Sequence, residues 1–286
     1  MKNNSVHYEA TKNGAFFMAV PAVLWKLLFL YVPLFFIMLI SFSKSFDFAF
    51  FKNVTVENYQ SLFSLSYFRV IGRSLLLAFL NAFFCLLIAY PIAYFLALKV
   101  RRFKNLLLFL LALPFWTNFL VQVYAWFFIL DHKGLLNTAL LKMGIISQPL
   151  HILNTSAAIY IVMLFCYLPF MVMPIYSSLL KIDKFVLEAS FDLGANSLQT
   201  LSHVTIPLSA SGIMTGFFLV LIPSFGEFVI PALLGGGKVM YVGSMITYFF
   251  LETKNPFLGA AFTCLSGFVL ILFALLIYVI FKKLFK

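Results

Sequence analysis

Charge is scarce in this 286-residue chain: 10% of its residues are charged, and only 9 are Asp or Glu. With 63% hydrophobic residues and a mean hydropathy of +1.04, a soluble globule is excluded, because that much apolar surface exceeds what one core of this size buries. Cysteine is limited to Cys85, Cys166 and Cys264, each inside an apolar run and far from the others. Such spacing excludes a disulfide framework or a thiolate metal site, and the three read as small inert core residues. His7, His132, His151 and His203 fall in loops or tails with no pairing that suggests a metal or a base. A phosphate-binding loop is also missing, since Gly235-Gly236-Gly237-Lys238 has neither the spacing nor the hydroxyl of Gly-x-x-x-x-Gly-Lys-Ser/Thr. The chain therefore cannot hydrolyse ATP alone, and Leu265-Ser266-Gly267 in mid-run carries no nucleotide-binding meaning. No nucleophile, acid and base converge, so no catalytic residue, metal or cofactor is expected.

What the chain does have is apolar length. A membrane-crossing helix needs roughly 20 apolar residues to span about 30 Å of hydrocarbon, and six runs qualify: 22 to 43, 70 to 98, 106 to 130, 157 to 180, 209 to 234 and 259 to 281. The expected architecture is an all-α polytopic membrane protein of six transmembrane helices. It forms one domain over 1–286, with no internal repeat and no hydrophilic stretch long enough for another. Residues 1 to 21 read as a cytoplasmic tail with an interfacial lead-in, without a signal-peptide cleavage site, and Trp25 and Lys26 anchor its edge. Residues 44 to 69 and 131 to 156 are outer loops; Gly134, Gly144 and Pro149 break the second. Pro169 and Pro174 inside the fourth run read as kinks or a hinge.

The formal charge of +11 forms no basic stripe, which argues against nucleic acid. It fits membrane orientation instead, because Lys and Arg concentrate on the cytoplasmic side. The densest cluster, Lys99, Arg101, Arg102 and Lys104, separates runs two and three. Lys282, Lys283, Lys286, Lys2 and Lys12 share its side on a six-helix count, so both termini are expected in the cytoplasm. Lys44, Lys52, Arg69 and Arg73, which flank the first outer loop, weaken that asymmetry.

One polar stretch stands apart. Leu187 to Leu208, LEASFDLGANSLQTLSHVTIPL, lies between two apolar runs and is helix-prone. Asp183 to Leu193 reads as a short helix with Val186, Ala189, Ser190 and Leu193 on one face. Gly194 ends it in the left-handed conformation common after a helix C-terminus. A second helix, about Ser197 to Val204, leads to Pro207 at the start of run five. Two short helices at an angle make a compact knob, over 181–208, that a separate ATPase could grip; the alternative is an ordinary amphipathic connector. Glu188, Ala189, Ser190, Gly194, Val204, Ile206 and Pro207 resemble the coupling loop of binding-protein-dependent ABC importer permeases, with Ser190 where that family usually has a second Ala.

LPFWTNFLVQVYAWFFIL (Leu113 to Leu130), LPFMVMPIYSSLLKID (Leu168 to Asp183) and IPSFGEFVIPALLGG (Ile222 to Gly236) are similar to the spermidine/putrescine importer permeases. Gln122 stands where these often carry a basic residue. The resemblance implies an ABC importer type I permease-like bundle that translocates a small cationic substrate. It also implies a second permease subunit as a heterodimer partner, an ABC ATPase dimer, a periplasmic or lipid-anchored binding protein, and a bacterial inner membrane with its lipids. From residue chemistry, a polyamine route needs aromatic faces for cation–π contact and few, well-placed carboxylates. Candidates are Phe115, Trp116, Tyr124 and Trp126, with Asn118 expected in the bundle interior, and Glu227 as the carboxylate well inside a run. Competing roles are an interface belt for Trp116, Tyr124 and Trp126, and a structural hydrogen bond for Glu227. The rival classes are a permease for another small solute and a secondary transporter, which would also need an intramembrane carboxylate but normally more helices and its own ion site.

Overall fold

The computed structural model describes residues 20–44, 54–100 and 102–285. Lys2, His7, Lys12, Lys52, Asn53, Arg101 and Lys286 lie outside them. The described residues are almost wholly helical, with one isolated antiparallel bridge between Ser43 and Val54. Five helical stretches are long and apolar enough to cross a membrane: Val20–Ser41, Leu65–Lys99, Phe119–Lys142, Ser156–Leu179 and Pro256–Leu284. A sixth arises if Ser197–Leu208 and Ala210–Phe225, which meet at 68°, count as one span.

The chain divides into two compact units. The first takes the residues up to Ser64 together with Tyr248–Gly267. Its helix α1 (Val20–Ser41) ends against α2 (Glu57–Leu62). There the Asn58 amide donates to the carbonyls of Ser41 (3.0 Å) and Ser43 (2.9 Å), and the hydroxyls of Ser41 and Tyr59 are 2.8 Å apart. The freed carbonyl of Ser41 at the C-terminus of α1 thereby gains a partner. Burial raises the Tyr59 phenol above the ordinary tyrosine range, so it remains a neutral partner for Ser41.

The second unit, Leu65–Thr247 with Phe268–Lys286, is built on three helices. They are α3 (Leu65–Lys99), a later helix α7 (Ser156–Leu179) and α10 (Ala210–Phe225), which pack on one another pairwise. Between them come α4 (Lys104–Trp116), α5 (Phe119–Leu130), α6 (Leu135–Lys142), α8 (Lys184–Asp192) and α9 (Ser197–Leu208). After α10 follow α11 (Val229–Leu234), α12 (Val242–Glu252), which runs on into the first unit, and α13 (Pro256–Leu284), which belongs to the first unit up to Gly267 and to the second from Phe268.

Apolar side chains gain little from each other in a bilayer whose tails are just as apolar, so close packing needs small residues and interhelical hydrogen bonds. Both are present. Gly212 and Gly216 lie one turn apart on α10, and a Cβ on Gly212 would come within 2.5 Å of the Ser178 Cβ and 2.6 Å of the Pro174 carbonyl on α7. Ala78, Ala82, Ala89 and Ala93 are fully buried along α3. On the same helix Asn81, also fully buried, donates to Ser224 Oγ on α10 at 2.8 Å. Helix α7 runs unbroken through Pro169 and Pro174.

Two apolar runs are not the single helices their composition suggests. Run three parts at Thr117 and Asn118 into α4 and α5, and run five parts at Gly226 to Phe228 into α10 and α11. Pro207 does not open run five either: α9 continues through it to Leu208, and the bend comes at Ser209.

Candidate functional site

Each break leaves backbone groups that a continuous helix would have paired, and each is repaired by side chains. At the first, Asn118 Oδ1 accepts from the Leu120 N–H at 2.9 Å as the cap of α5. The Gln122 amide donates to the Pro114 carbonyl and to Thr117 Oγ1. At the second, Glu227 Oε1 accepts from the N–H groups of Val229 (2.9 Å) and Ile230 (3.4 Å), capping α11. Its Oε2 accepts from the Tyr167 hydroxyl of α7 at 2.8 Å. Non-helical backbone at membrane depth is tolerated where it lines a cavity.

Such a cavity is present. About 360 Å³ of space is lined by Pro114, Phe115, Thr117, Phe119 and Gln122 from the first break and Glu227 from the second, with Cys166, Tyr167 and Phe170 of α7 between. Phe115 and Phe170 meet edge to face at 4.7 Å between ring centroids. Helix α11 packs against both α5 and α7, which brings the two breaks to one place. The result is an aromatic chamber with one carboxylate, 9% exposed, in its wall.

Of the residues singled out for a route, Glu227 and Phe115 line this chamber. Trp116, Asn118, Tyr124 and Trp126 do not. Trp116 is 75% exposed with its ring against Phe109, Tyr124 is exposed, and Trp126 packs edge-on against Phe165 of α7. Asn118 is exposed and not interior, because its side chain is used as a helix cap. Glu227 lies in a gap between helices, not within one. Cys166 borders the chamber and is not a plain core residue. Tyr167, Thr117 and Phe170 also line the chamber without standing out in sequence; the one signal there is a hydroxyl-bearing Tyr167 in the middle of a long apolar run. His132 and His151, unpaired in sequence, stack with ring centroids 4.6 Å apart. Asn137 on α6, 1% exposed, ties together the segments before and after that helix by hydrogen bonds to the Asp131 carbonyl and to both backbone groups of Leu150.

The polar stretch forms a two-helix knob from local rules. Asp183 Oδ1 caps α8 through the Phe185 N–H at 3.1 Å. Gly194 follows α8 at φ +86°, with its N–H donating to Phe191 O and that of Ala195 to Ser190 O, the paired bonds of a Schellman ending. Asn196 and Gln199 then form a reciprocal capping box at the start of α9. Ser190 is buried, its Oγ 2.9 Å from the Thr200 hydroxyl, and so ties α8 to α9; the Ser in place of Ala adds a bond that Ala could not make. Val186, Ala189 and Leu193 stay exposed beside it, so Ser190 does not share their outward face. Glu188 is exposed on a further face of α8, Ile206 is half-buried, and Pro207 is exposed.

The family described as "Binding-protein-dependent transport system inner membrane component" matches residues 89–286. The spermidine/putrescine transport system permease protein PotB of Haemophilus influenzae is 40% identical over 259 residues, covering 90% of each chain. PotB of Escherichia coli strain K12 is 41% identical over 261 residues, covering 90% of this chain and 95% of that one. By fold, the chain is similar to a bacterial ABC transporter involved in import of the acidic polysaccharide alginate, with TM-score 0.74 at 15% identity over 99% of this chain and 100% of that one. A second structure of a bacterial alginate ABC transporter, in complex with an alginate pentasaccharide-bound periplasmic protein, gives TM-score 0.74 at 16% identity over 98% of each chain. The chain belongs to the binding-protein-dependent transport system inner membrane component family, as a multi-pass permease subunit of an ABC importer.

Proposed function

We propose that this permease moves a polyamine, putrescine or spermidine, through the chamber between its two helix breaks, with Glu227 meeting the passing ammonium group. The observation that carries this reading is one carboxylate set among Phe115, Tyr167 and Phe170 in the wall of a single cavity. Aromatic faces attract a cation by about 0.5 to 2 kcal/mol each, and the carboxylate offsets part of the desolvation of an amine. A lone carboxylate holds the cation weakly enough to let it leave. The names of the 40% and 41% identical relatives support the same substrate class.

Energy for transport comes from a separate ABC ATPase dimer. It grips the knob formed by α8 and α9 through Glu188, Ala189, Gly194, Ile206 and Pro207, while Ser190 holds the two helices together. A second permease completes the pathway, and a binding protein delivers substrate. Trp116 and Tyr124, exposed outside the chamber, extend the route only if that second permease covers them.

The test is reconstitution with the subunits that co-purify, followed by competition across di- and triamines, amino acids and thiamine. Glu227→Gln keeps shape and hydrogen bonding but removes charge. A charge-assisted hydrogen bond contributes about 1.5 to 3 kcal/mol, so polyamine uptake should fall roughly ten- to hundred-fold with assembly and basal ATP hydrolysis intact. Glu227→Asp should retain partial activity. Uptake by the Gln variant at the parental rate and apparent affinity leaves Glu227 as a cap for α11 and nothing more.

A further inference from the structure

The side-chain amide of Gln122, at the first helix break, fits its surroundings only one way round. The Pro114 carbonyl can only accept, and Thr117 Oγ1 gives its own proton to that carbonyl at 2.9 Å, so Thr117 also faces Gln122 as an acceptor. Both places call for the Nε2 group, which donates to each. Oε1 is thereby held on the other side of the amide, facing Cys166 of α7, whose Sγ is 3.9 Å away. A thiol is a weak donor. Among the described residues, Oε1 therefore accepts from no N–H or O–H group and keeps its acceptor capacity.

That acceptor belongs to the chamber. Gln122 and Glu227 line the same space, one from each break, and the adjacent residues Cys166 and Tyr167 join them, Cys166 against Gln122 Oε1 and the Tyr167 hydroxyl on Glu227 Oε2. No lining residue is cationic. The chamber thus offers two oxygen acceptors of unequal strength, a carboxylate and a neutral amide carbonyl fixed in direction. A molecule with one ammonium group satisfies the carboxylate and leaves the amide oxygen facing its hydrocarbon tail. A second ammonium group gives that oxygen a donor. We propose that Gln122 Oε1 is the second amine contact of the chamber and sets its preference for substrates with two or more ammonium groups over monoamines. The inference rests on the polyamine reading of Glu227 and adds a specificity-determining residue to it. A neutral acceptor suits passage, since it orients the second ammonium group without adding the attraction of another buried charge, which would slow departure.

The test uses the full-length chain with its co-purifying subunits, in a background of Cys85→Ser and Cys264→Ser. It reads the amine concentration that halves the rate at which Cys166 reacts with a small maleimide. Putrescine and butylamine share one carbon chain and differ in the second amine, so the ratio of their half-protection concentrations reports the second contact. A ratio taken on one protein is untouched by the fraction unfolded or by a change in basal thiol reactivity. The parent should favour putrescine by roughly ten-fold or more, as expected for a hydrogen bond to a charged group. Gln122→Met, similar in length but without hydrogen-bonding groups, should abolish that preference and leave butylamine protection unchanged. Gln122→Lys keeps donors for Pro114 and Thr117, which preserves the break, and sets a cation where the acceptor stood; it should also abolish the preference. Glu227→Gln should weaken protection by both amines. A parent that does not distinguish the amines overturns the inference, and so does a preference that Gln122→Met leaves at its parental value, since Gln122 then only repairs the break. Failure of the polyamine reading looks different: Glu227→Gln is then protected by either amine as the parent is. In that case a preference lost in Gln122→Met still assigns Oε1 as an amine contact, and one retained there removes it. No protection of the parent by either amine overturns both.

Discussion

At the scale of single residues, Tyr167 and Cys166 are the side chains whose positions say most about the chamber. Tyr167 donates to the one Glu227 oxygen that is not capping α11, so on the proposed route an arriving ammonium would meet a carboxylate already held from the side. Tyr167→Phe removes that bond and leaves Glu227 less well positioned while its charge stays. Apparent substrate affinity should weaken by about three- to ten-fold, in line with a net hydrogen-bond contribution of around 1 kcal/mol, and maximal uptake should change little. Initial-rate uptake across a substrate series separates the two, and a loss confined to maximal rate rejects the positioning role. Cys166 gives a second reading of the same space. In a chain with Cys85 and Cys264 replaced by Ser, Cys166 should react with a small maleimide, and added spermidine should slow that reaction several-fold. A rate insensitive to polyamine takes the substrate out of the chamber. In sequence each is a single side chain in a long apolar run: Cys166 reads as core, and the Tyr167 hydroxyl is the one local signal. Only the meeting of two distant helix breaks gives them a common surface.

Among the elements, the knob was legible in sequence and the chamber was not, and the reason is range. Asp183, Gly194, Asn196 and Gln199 act on backbone within a few residues of themselves, so their pattern alone announces where α8 ends and α9 starts. The breaks at 117–118 and 226–228 carried weaker local signals: Pro114 with Asn118, and Pro223 with Gly226. Within runs of nearly unbroken hydrophobicity those residues pass for tolerated irregularities. Asn118, Gln122 and Glu227 supply the missing backbone hydrogen bonds within a few residues of themselves, whereas the Tyr167 bond to Glu227 and the packing of α11 on α5 and α7 depend on helices far apart in sequence. Gly194 shows what the local rule predicts. Nothing lies within 4 Å of a Cβ built there, so Gly194→Val would clash with no neighbour, and its cost is the left-handed backbone alone, about 1 to 3 kcal/mol. The variant should insert normally but lose ATPase association or substrate-stimulated hydrolysis. Gly194→Asn, which tolerates that conformation, should restore much of the coupling. Equal failure of both variants would mean that the side chain, and not the backbone, disturbs the contact. Gly212 presents the opposite case, since its Cβ would meet α7 at 2.5 Å. Gly212→Leu should force α7 and α10 apart and lower the melting temperature of the solubilised protein, with Gly212→Ala intermediate.

For the whole molecule, the open quantity is the number of crossings. Helix α10 has 16 residues, about 24 Å at 1.5 Å per residue, which is short of a hydrocarbon core of roughly 30 Å. It completes a crossing only together with α11 beyond the Glu227 gap. If it does, the knob and the C-terminal end of α13 are separated by two crossings and face the same compartment. If it does not, α13 alone separates them and they face opposite sides. The charge distribution favours the first arrangement, because Lys99, Arg102 and Lys104 before the knob and Lys282 and Lys283 at the end of α13 all then fall on the cytoplasmic side. Single cysteines at Asn196 and Lys283, in a background lacking the three native ones, should therefore label only with reagents admitted to the cytoplasm. A cysteine at Asn53, outside the described residues, should label from the opposite face. Labelling of Asn196 and Lys283 from different sides would establish an odd number of crossings after the knob. Labelling of Asn196 from outside would remove the knob from any cytoplasmic ATPase.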